Sequence, residues 1–211
     1  MQEFEEKGYA LVRDFINDSL SGFLYSYLHL KKKVFHTLRE TKMISPYNLD
    51  WGSIGDTMVP GTFSLYGDTT MDALLTFVKE KVEKASDFKL DESYSYARLY
   101  KKDDVLYRHV DRQQCAVSIT INLGGDVWPI YLIDKNNIQV DVSLKAGNAL
   151  LYKGGELAHW RDPLEGEYCG QLFLHYVHKN KETKPYDTRL HLGLPASMNE
   201  EINTTNDKNI K

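Results

Sequence analysis

The second half of this chain is a succession of short strand-like segments separated by turns. From residue 93 onward the segments read YSYARLY, AVSITINLG, WPIYLI, NIQVDVSL, NALLYK, LAHWR and QLFLHYV. They are rich in β-branched and aromatic residues, and the stretches between them carry residues that favour turns, as in KKDD, GGD, DKNN, KAGN, KGG and PLEGE. This run of closely spaced strands predicts a β-sandwich or a small barrel.

Two helices are predicted before the strands. The first follows Asn17 and the second follows Asp68, and both side chains are good caps for a helix N-terminus. Apolar residues then recur at helical spacing, at Leu20, Phe23, Leu24, Tyr27, Leu28 and Phe35 in the first helix and at Met71, Leu74, Leu75, Val78 and Val82 in the second. This spacing predicts one buried face for each helix, and we expect both to pack on the outside of the strand-rich core.

The segment between the helices, residues 41 to 67, reads as loop. It carries more aromatic side chains among its Gly and Pro residues than a connector requires, namely Tyr47, Trp51, Phe63 and Tyr66. Two interpretations stay open. Either the loop covers an active site, or its rings close one end of the core.

One domain accounts for the chain. Its 211 residues are 42% hydrophobic and 12% aromatic, enough to bury one sizeable core, and no Pro/Gly/Ser-rich linker divides them. We predict a single domain over residues 1–196, with a helical support and lid region at about 1–92 and the strand-rich core at about 93–196. The polar, aperiodic segment 197–211 is predicted to be disordered.

Charge and cysteine content narrow the function classes. The formal net charge is −4, with 26 Lys and Arg against 30 Asp and Glu, so no broad basic surface for a nucleic-acid backbone is indicated. No segment approaches the roughly 18 apolar residues of a membrane span, and no signal peptide is recognisable after Met1. With only two cysteines, Cys115 and Cys169, these features favour a reducing cytoplasm.

The motif YRHVDRQQC carries half of a candidate metal site. Alternate side chains of a strand point to one face, so His109 and Asp111 aim together while Val110 points away. Much further along, His159 follows an apolar strand and a Gly-Gly turn and supplies a second imidazole. Two histidines and one carboxylate form the facial triad suited to Fe(II). The His-x-Asp pair alone is weak, since polar residues are ordinary on a half-exposed strand.

Residues 94–178, together with DTRLHLGLP near the end, resemble the Fe(II)/2-oxoglutarate-dependent oxygenase superfamily, especially its prolyl-hydroxylase-like branch and the related oxygenases of bacteria and phages. The resemblance is carried by YARLY, RHVDR, SITINLG, WPI, AGNALLYKGGELAHWRD and QLFLHYV. It implies a mainly β fold with flanking helices, the double-stranded β-helix or jelly roll. It also implies Fe(II) near the open end of the barrel, held by His109, Asp111 and His159.

The same resemblance implies the reaction. Members of this superfamily bind 2-oxoglutarate at the iron and use O2 to form succinate, CO2 and an oxidant that removes hydrogen from the substrate, and hydroxylation is the usual outcome. The implied substrate is a protein residue of the prolyl type, or a free amino acid or other small metabolite. Two other classes stay open: a metal-binding jelly roll with hydrolase or isomerase chemistry on Zn²⁺, and a non-catalytic barrel that binds a ligand.

The cosubstrate contact departs from the pattern common in the superfamily. Many members place Arg or Lys about nine to twelve residues after the second histidine, where this chain has YCGQ. A buried carboxylate needs a cation or several strong donors. Arg161 is the first candidate, its alternative being a surface residue paired with Asp162. Arg98 is the second, its alternative being a brace for the core, and Tyr100 and Gln171 are candidates for neutral hydrogen bonds.

Two aromatic residues are candidates for the substrate pocket. Tyr107 lies two positions before His109, which alternation places on the metal-facing side, and Trp128 opens the WPIYLI strand. Aromatic core packing is at least as good an interpretation of both. Arg112 directly follows Asp111, so we expect it on the opposite face, in a structural ion pair.

Overall fold

The computed structural model describes residues 2–179 and 183–198. The predicted disordered tail therefore lies outside the described residues from residue 199 onward. In the described part the helices are α1 (Gln2–Lys7), α2 (Asp18–Glu40) and α3 (Thr69–Ser86), with 3₁₀ turns at Pro185–Thr188 and Ala196–Met198. The strands are β1 (Tyr9–Val12), β2 (Phe63–Tyr66), β3 (Leu90–Lys101), β4 (Leu106–His109), β5 (Val117–Gly125), β6 (Ile130–Ile133), β7 (Gln139–Val142), β8 (Ala149–Tyr152), β9 (His159–Arg161) and β10 (Tyr168–His178).

The described strands form two sheets, and all their pairings are antiparallel. One sheet has the order β1-β8-β5-β10-β3-β2 and the other β4-β9-β6-β7. Neighbours in a sheet are often distant in sequence, since β10 lies between β5 and β3, and β9 lies between β4 and β6. The prediction of a mainly β chain is confirmed, and this interleaving of distant strands is characteristic of jelly-roll and Greek-key folds.

The six-stranded sheet is covered on both faces. On one face, Ile121 of β5 belongs to the same apolar cluster as Leu28 of α2 and Leu75 of α3. On the other face, Leu150 of β8 packs in a cluster with Leu132 of β6, which belongs to the second sheet. Because neither face meets solvent, β5 is buried at nearly every position.

The face turned toward the four-stranded sheet carries a group of polar side chains. It carries buried side chains from three central strands, namely Arg98 of β3, Ser118 and Thr120 of β5, and Gln171 and His175 of β10. Since side chains alternate along a strand, these polar residues share one face while their apolar neighbours point toward the helices. The space between the sheets therefore contains buried polar side chains beside apolar ones.

Both long helices begin at the predicted caps. The Asn17 side chain accepts a hydrogen bond from the Leu20 N–H at 2.8 Å, and the Asp68 side chain accepts one from the Thr70 N–H at 3.0 Å. These contacts satisfy N–H groups that have no partner within the helix. Within the described ranges, no helix has both the length and the apolar character that a membrane crossing requires.

Two details of the sequence prediction are wrong. Phe23 is 59% exposed, because the buried stripe of α2 runs through Leu24 and Leu28 and a step of about 100° back from Leu24 leaves that stripe. Residues 41–67 are not loop throughout, because Phe63–Tyr66 form β2 and pair with β3. A strand of this length is too short for periodicity to reveal.

Candidate metal centre and its cavity

Strand pairing brings the three predicted metal ligands together. His109 ends β4, His159 begins β9, and the two residues are partners in the antiparallel ladder. The Oδ1 atom of Asp111 lies 3.6 Å from Nε2 of His109 and 3.6 Å from Nε2 of His159. One ligand atom from each residue lies within 4.8 Å of the others, a spacing that suits a single metal ion.

Each imidazole is oriented by a backbone carbonyl two residues earlier in the chain. His109 Nδ1 lies 2.7 Å from the carbonyl oxygen of Tyr107, and His159 Nδ1 lies 2.9 Å from that of Leu157. A carbonyl oxygen only accepts, so Nδ1 carries a proton in both rings, and in the neutral ring Nε2 presents a lone pair. Both Nε2 atoms face Asp111, and a donated Nδ1–H is the usual support of a metal-binding histidine. The donor set therefore fits Fe(II).

The Asp111 carboxylate is held in place by two further contacts. Its Oδ2 atom accepts a hydrogen bond from the Ser118 hydroxyl at 2.9 Å, and its backbone N–H donates to the Gly154 carbonyl at 2.9 Å. Burial opposes ionisation, but His109 and His159 outweigh it and hold the pKa of Asp111 well below its usual range. Asp111 is therefore a carboxylate with Oδ1 directed toward the histidines.

Ser118 links Asp111 to a buried histidine on β10. Because Ser118 donates to Asp111, it accepts from Nδ1 of His175, which lies 2.9 Å away. Burial lowers the pKa of His175 to about 4, so its imidazole is neutral near pH 7. Asp111, Cys115 and His175 form a second group with ligand atoms within 4.8 Å of one another. Burial raises the pKa of Cys115 to about 12, which keeps it a thiol and disfavours metal binding there.

Because Gly154 has no side chain, the Asp111 carboxylate can pack against its Cα. A Cβ atom at this position would lie 2.3 Å from Asp111 Oδ2 and 2.3 Å from Ser118 Oγ. The adjacent Gly155 has no such restriction, because the nearest atom to its Cβ would be 3.7 Å away. The first glycine of the Gly-Gly turn is thus a spatial requirement of the site.

The three side chains open onto a cavity of about 410 Å³. Its other charged lining residues are Asp56, Arg98 and Arg112. The remaining wall is mostly aromatic or aliphatic and consists of Met58, Tyr66, Tyr94, Tyr96, Leu106, Val110, Ile130, Tyr152, Phe173 and His175. A largely apolar pocket with a few convergent polar groups is typical of small-molecule and cofactor sites.

Arg161 is buried in the interior, with 1% of its surface exposed. Its guanidinium donates to the Trp128 carbonyl and, at 3.2 Å, to Gln171 Oε1. Among the described residues no carboxylate pairs with it, and its Nε atom has no hydrogen-bond partner. Burial lowers the pKa of Arg161, as expected for a cation without a counter-ion. The alternative of a surface residue paired with Asp162 is therefore not what the structure contains.

Arg98, Tyr100 and Gln171 lie close to Arg161 in the same interior. Arg98 and Gln171 face each other across β3 and β10, and Arg98 Nη1 donates to the Tyr100 hydroxyl at 3.3 Å. Arg98 is 7% exposed and donates through Nη2 to the Asp56 carboxylate. In contrast to Arg161, it has an acidic partner.

The two aromatic residues predicted for the substrate pocket do not line the cavity. Tyr107 is 67% exposed, because a register shift between Leu106 and His109 interrupts the alternation and gives the buried position to Leu106. Trp128 is buried in an apolar cluster with Tyr100, and their ring centroids lie 4.8 Å apart. Tyr107 thus lies on the surface outside the cavity lining, and Trp128 packs in the core.

Arg112 forms the expected ion pair but not on the expected face. Its Nη2 atom lies 2.7 Å from Oδ2 of Asp187, and it also donates to the Tyr66 hydroxyl at 3.1 Å. Its guanidinium lies 4.3 Å from the ring centroid of Tyr94. Because strand β4 ends at His109, alternation no longer applies at Arg112, and this residue lines the cavity.

Sequence reasoning missed three residues of the site. Ser118 and His175 lie at inward positions of β5 and β10. A polar residue at an inward position of an otherwise apolar strand is a signal that could have identified both. Asp56 gave no signal, because it lies in an irregular segment 42 residues before Arg98.

Solved structures share this fold. A Pseudomonas putida prolyl-4-hydroxylase is 16% identical with a TM-score of 0.62, and the match covers 85% of this chain and 97% of that one. SnoN, an alpha-ketoglutarate-dependent epimerase from nogalamycin biosynthesis, is 14% identical with a TM-score of 0.61, covering 92% of each chain. HygX from Streptomyces hygroscopicus, with nickel and 2-oxoglutarate bound, is 12% identical with a TM-score of 0.56, covering 84% of this chain and 85% of that one.

These likenesses confirm the predicted resemblance at the level of the fold. The chain has the fold that these three proteins adopt, at sequence identities of 12% to 16%. No protein-family model matches the sequence, and no curated protein matches it either. What the chain does is therefore argued from its own residues.

Proposed function

We propose that the protein is a non-haem Fe(II)/2-oxoglutarate-dependent oxygenase that uses O2 to hydroxylate a C–H bond of a small-molecule or peptidyl substrate. The observation that carries the proposal is the convergence of two imidazole Nε2 atoms and one carboxylate oxygen at the wall of a cavity. Iron bound there would supply the centre at which 2-oxoglutarate is oxidised and O2 is activated.

The protein's own contribution at the centre is to hold three ligand atoms in fixed positions. The Tyr107 and Leu157 carbonyls accept from Nδ1 of His109 and His159, so Nε2 is the nitrogen that each ring offers to a metal. Ser118 fixes the carboxylate of Asp111 through the oxygen that does not face the histidines. One side of the group stays open to the cavity, where small molecules can enter.

Arg161 is proposed to bind the distal carboxylate of 2-oxoglutarate. Arg161 is fully buried and has no counter-ion among the described residues, which is unfavourable, and an incoming carboxylate would supply the opposite charge. Gln171, which contacts Arg161, and Tyr100 add neutral hydrogen-bonding capacity nearby. At Arg98, by contrast, an incoming carboxylate would first have to displace Asp56.

The apolar wall of the cavity would keep water away from the reacting groups. Ile130, Leu106 and Phe173 line the same cavity as the metal group and are buried. Low polarity around a site strengthens the ionic contacts within it and suppresses side reactions with water. This environment suits oxidation of an unactivated C–H bond.

Anaerobic titration tests the proposal. Protein loaded with Fe(II) is expected to bind 2-oxoglutarate with a visible absorption band, whereas glutarate, which lacks the keto group, should produce no band. Asp111→Ala should abolish the band while the protein stays folded. A protein that binds Zn²⁺ at the same residues but neither Fe(II) nor 2-oxoglutarate would instead support hydrolase or isomerase chemistry.

A further inference from the structure

Two donors of the cavity wall converge on one carboxylate oxygen. Arg98 donates through Nη2 to Oδ2 of Asp56, and the Tyr96 hydroxyl donates to the same oxygen. The Arg98 guanidinium lies 4.9 Å from the Tyr96 ring centroid and 5.8 Å from that of Tyr100. A desolvated guanidinium flanked by phenol rings is a strong carboxylate-binding arrangement.

The carboxylate that fills this arrangement comes from a connecting segment and not from the barrel. Asp56 lies in the irregular stretch before β2, and within that stretch its Oδ1 accepts a hydrogen bond from the Met58 N–H at 2.7 Å. Burial opposes its ionisation, but Arg98 and Tyr96 outweigh burial and lower the pKa of Asp56. The segment therefore places an anion inside the cavity without a strand to support it.

Asp56 uses only part of the donor capacity of Arg98. Nη1 is directed to Tyr100, Nη2 to Asp56, and the buried Nε atom has no hydrogen-bond partner among the described residues. Nε and Nη2 together form the edge that binds a carboxylate with two parallel hydrogen bonds. A free ligand can satisfy both donors, whereas Asp56 satisfies one.

The residues around Arg98 indicate which chemical groups the ligand would have besides its carboxylate. Arg98 and the metal group line one cavity, together with the apolar side chains of Leu106 and Phe173. A molecule with its carboxylate on Arg98 would place a short hydrocarbon portion against that wall and toward the metal group. Arg161, which contacts Gln171 and has no acidic partner among the described residues, is a second, separate cation available to 2-oxoglutarate.

We propose that Arg98, with Tyr96, forms a carboxylate-binding site for the substrate, that Asp56 occupies this site in the absence of ligand, and that the substrate is therefore a small carboxylic acid. The assignment to the substrate rests on the proposed oxygenase function. The anion site itself does not, and it is testable without metal.

Calorimetric titration with propionate tests the anion site in the metal-free protein. Asp56→Ala should bind propionate at least about tenfold more tightly than the wild-type protein, because the internal competitor is gone, and Asp56→Asn should show a smaller gain in the same direction. Asp50→Ala, which removes an exposed carboxylate of the same loop, should behave as wild type. Binding should be lost in Asp56→Ala/Arg98→Gln, and propionamide should not bind to any variant.

A second arm separates the substrate from the cosubstrate. In anaerobic Asp56→Ala saturated with Fe(II) and 2-oxoglutarate, propionate should still bind, which places its site apart from that of 2-oxoglutarate. Loss of propionate binding on addition of 2-oxoglutarate would assign Arg98 to the cosubstrate and overturn the proposal. Equal propionate binding by Asp56→Ala and Asp56→Ala/Arg98→Gln, or no propionate binding by either Asp56→Ala or Asp56→Asn, would show that the Arg98–Asp56 ion pair only braces the core. Failure to bind Fe(II) and 2-oxoglutarate would instead refute the oxygenase function and leave the metal-free result standing.

Discussion

His109 and His159 face each other across the β4–β9 ladder, with ring centroids 4.3 Å apart. Each ring directs Nδ1 to the carbonyl two residues before it, and each directs Nε2 to Asp111. The two halves of the centre therefore use the same local geometry, although they come from distant parts of the chain. The predictions below test whether this geometry binds a metal and what the surrounding residues contribute.

Gly154→Ala is expected to weaken metal binding without unfolding the protein. The added Cβ would lie 2.3 Å from Asp111 Oδ2, so the carboxylate must move away from the histidines. We expect at least about a tenfold loss of Fe(II) affinity, measured by anaerobic titration, with little change in the far-UV circular dichroism. Gly155→Ala is the matched control and should bind Fe(II) as the wild type does. Similar affinities for both variants would show that Asp111 is not a ligand.

Ser118→Ala should also lower Fe(II) affinity, in this case because the Asp111 carboxylate would no longer be held in its orientation. The hydroxyl donates to Asp111 at 2.9 Å, and removing such a supporting contact typically costs about 10- to 100-fold in metal affinity. The control is Ser93→Ala, because the buried Ser93 hydroxyl has no hydrogen-bond partner in the described structure. A Ser118 variant with wild-type Fe(II) affinity would remove this residue from the site.

Arg161→Ala should raise the 2-oxoglutarate KM by about 30-fold or more, equivalent to about 2 kcal/mol for an unpaired buried carboxylate. Arg112→Ala, which removes a cation with a side chain 47% exposed, should have a much smaller effect. Succinate formation at varied 2-oxoglutarate measures both. An equal increase in the 2-oxoglutarate KM for Arg161→Ala and Arg112→Ala, or a larger increase for Arg98→Ala, would show that Arg161 is not the cosubstrate contact.

The C-terminal segment is tied to α3 by a buried ion pair. Arg189 Nη1 lies 2.9 Å from Asp72 Oδ2, and their side chains are 0% and 2% exposed. Asp72→Ala should lower the free energy of unfolding by about 3–5 kcal/mol, because it leaves a buried cation unpaired. Urea denaturation measures the change. Glu3→Ala, which breaks an exposed pair with Lys7, should change stability far less, and a comparable loss in both variants would contradict the account.

Much of the centre could be predicted from local rules. Alternation predicted His109 and Asp111 on one side, and they do lie together, although β4 ends at His109 and Asp111 is held instead by Gly154 and Ser118. The Asn17 and Asp68 caps located both long helices. His159 required the resemblance, since nothing local indicates that β9 pairs with β4.

The remaining features depend on contacts that no local pattern encodes. The register shift in β4 reversed the placement of Tyr107, and a bulge leaves no reliable signature in a short strand. Asp56 reaches Arg98 from an irregular loop, so only the folded chain shows their ion pair. The burial of Arg161 without a carboxylate is likewise a property of the assembled interior.

The most direct test of the central claim is succinate formation. Protein would be loaded anaerobically with Fe(II) and 2-oxoglutarate, exposed to O2 without added substrate, and assayed for succinate alongside His109→Ala and Asp111→Ala. The account predicts succinate from the wild-type protein and none above the protein-free background from either variant. Absence of succinate from the wild type, or equal amounts from all three proteins, would contradict it.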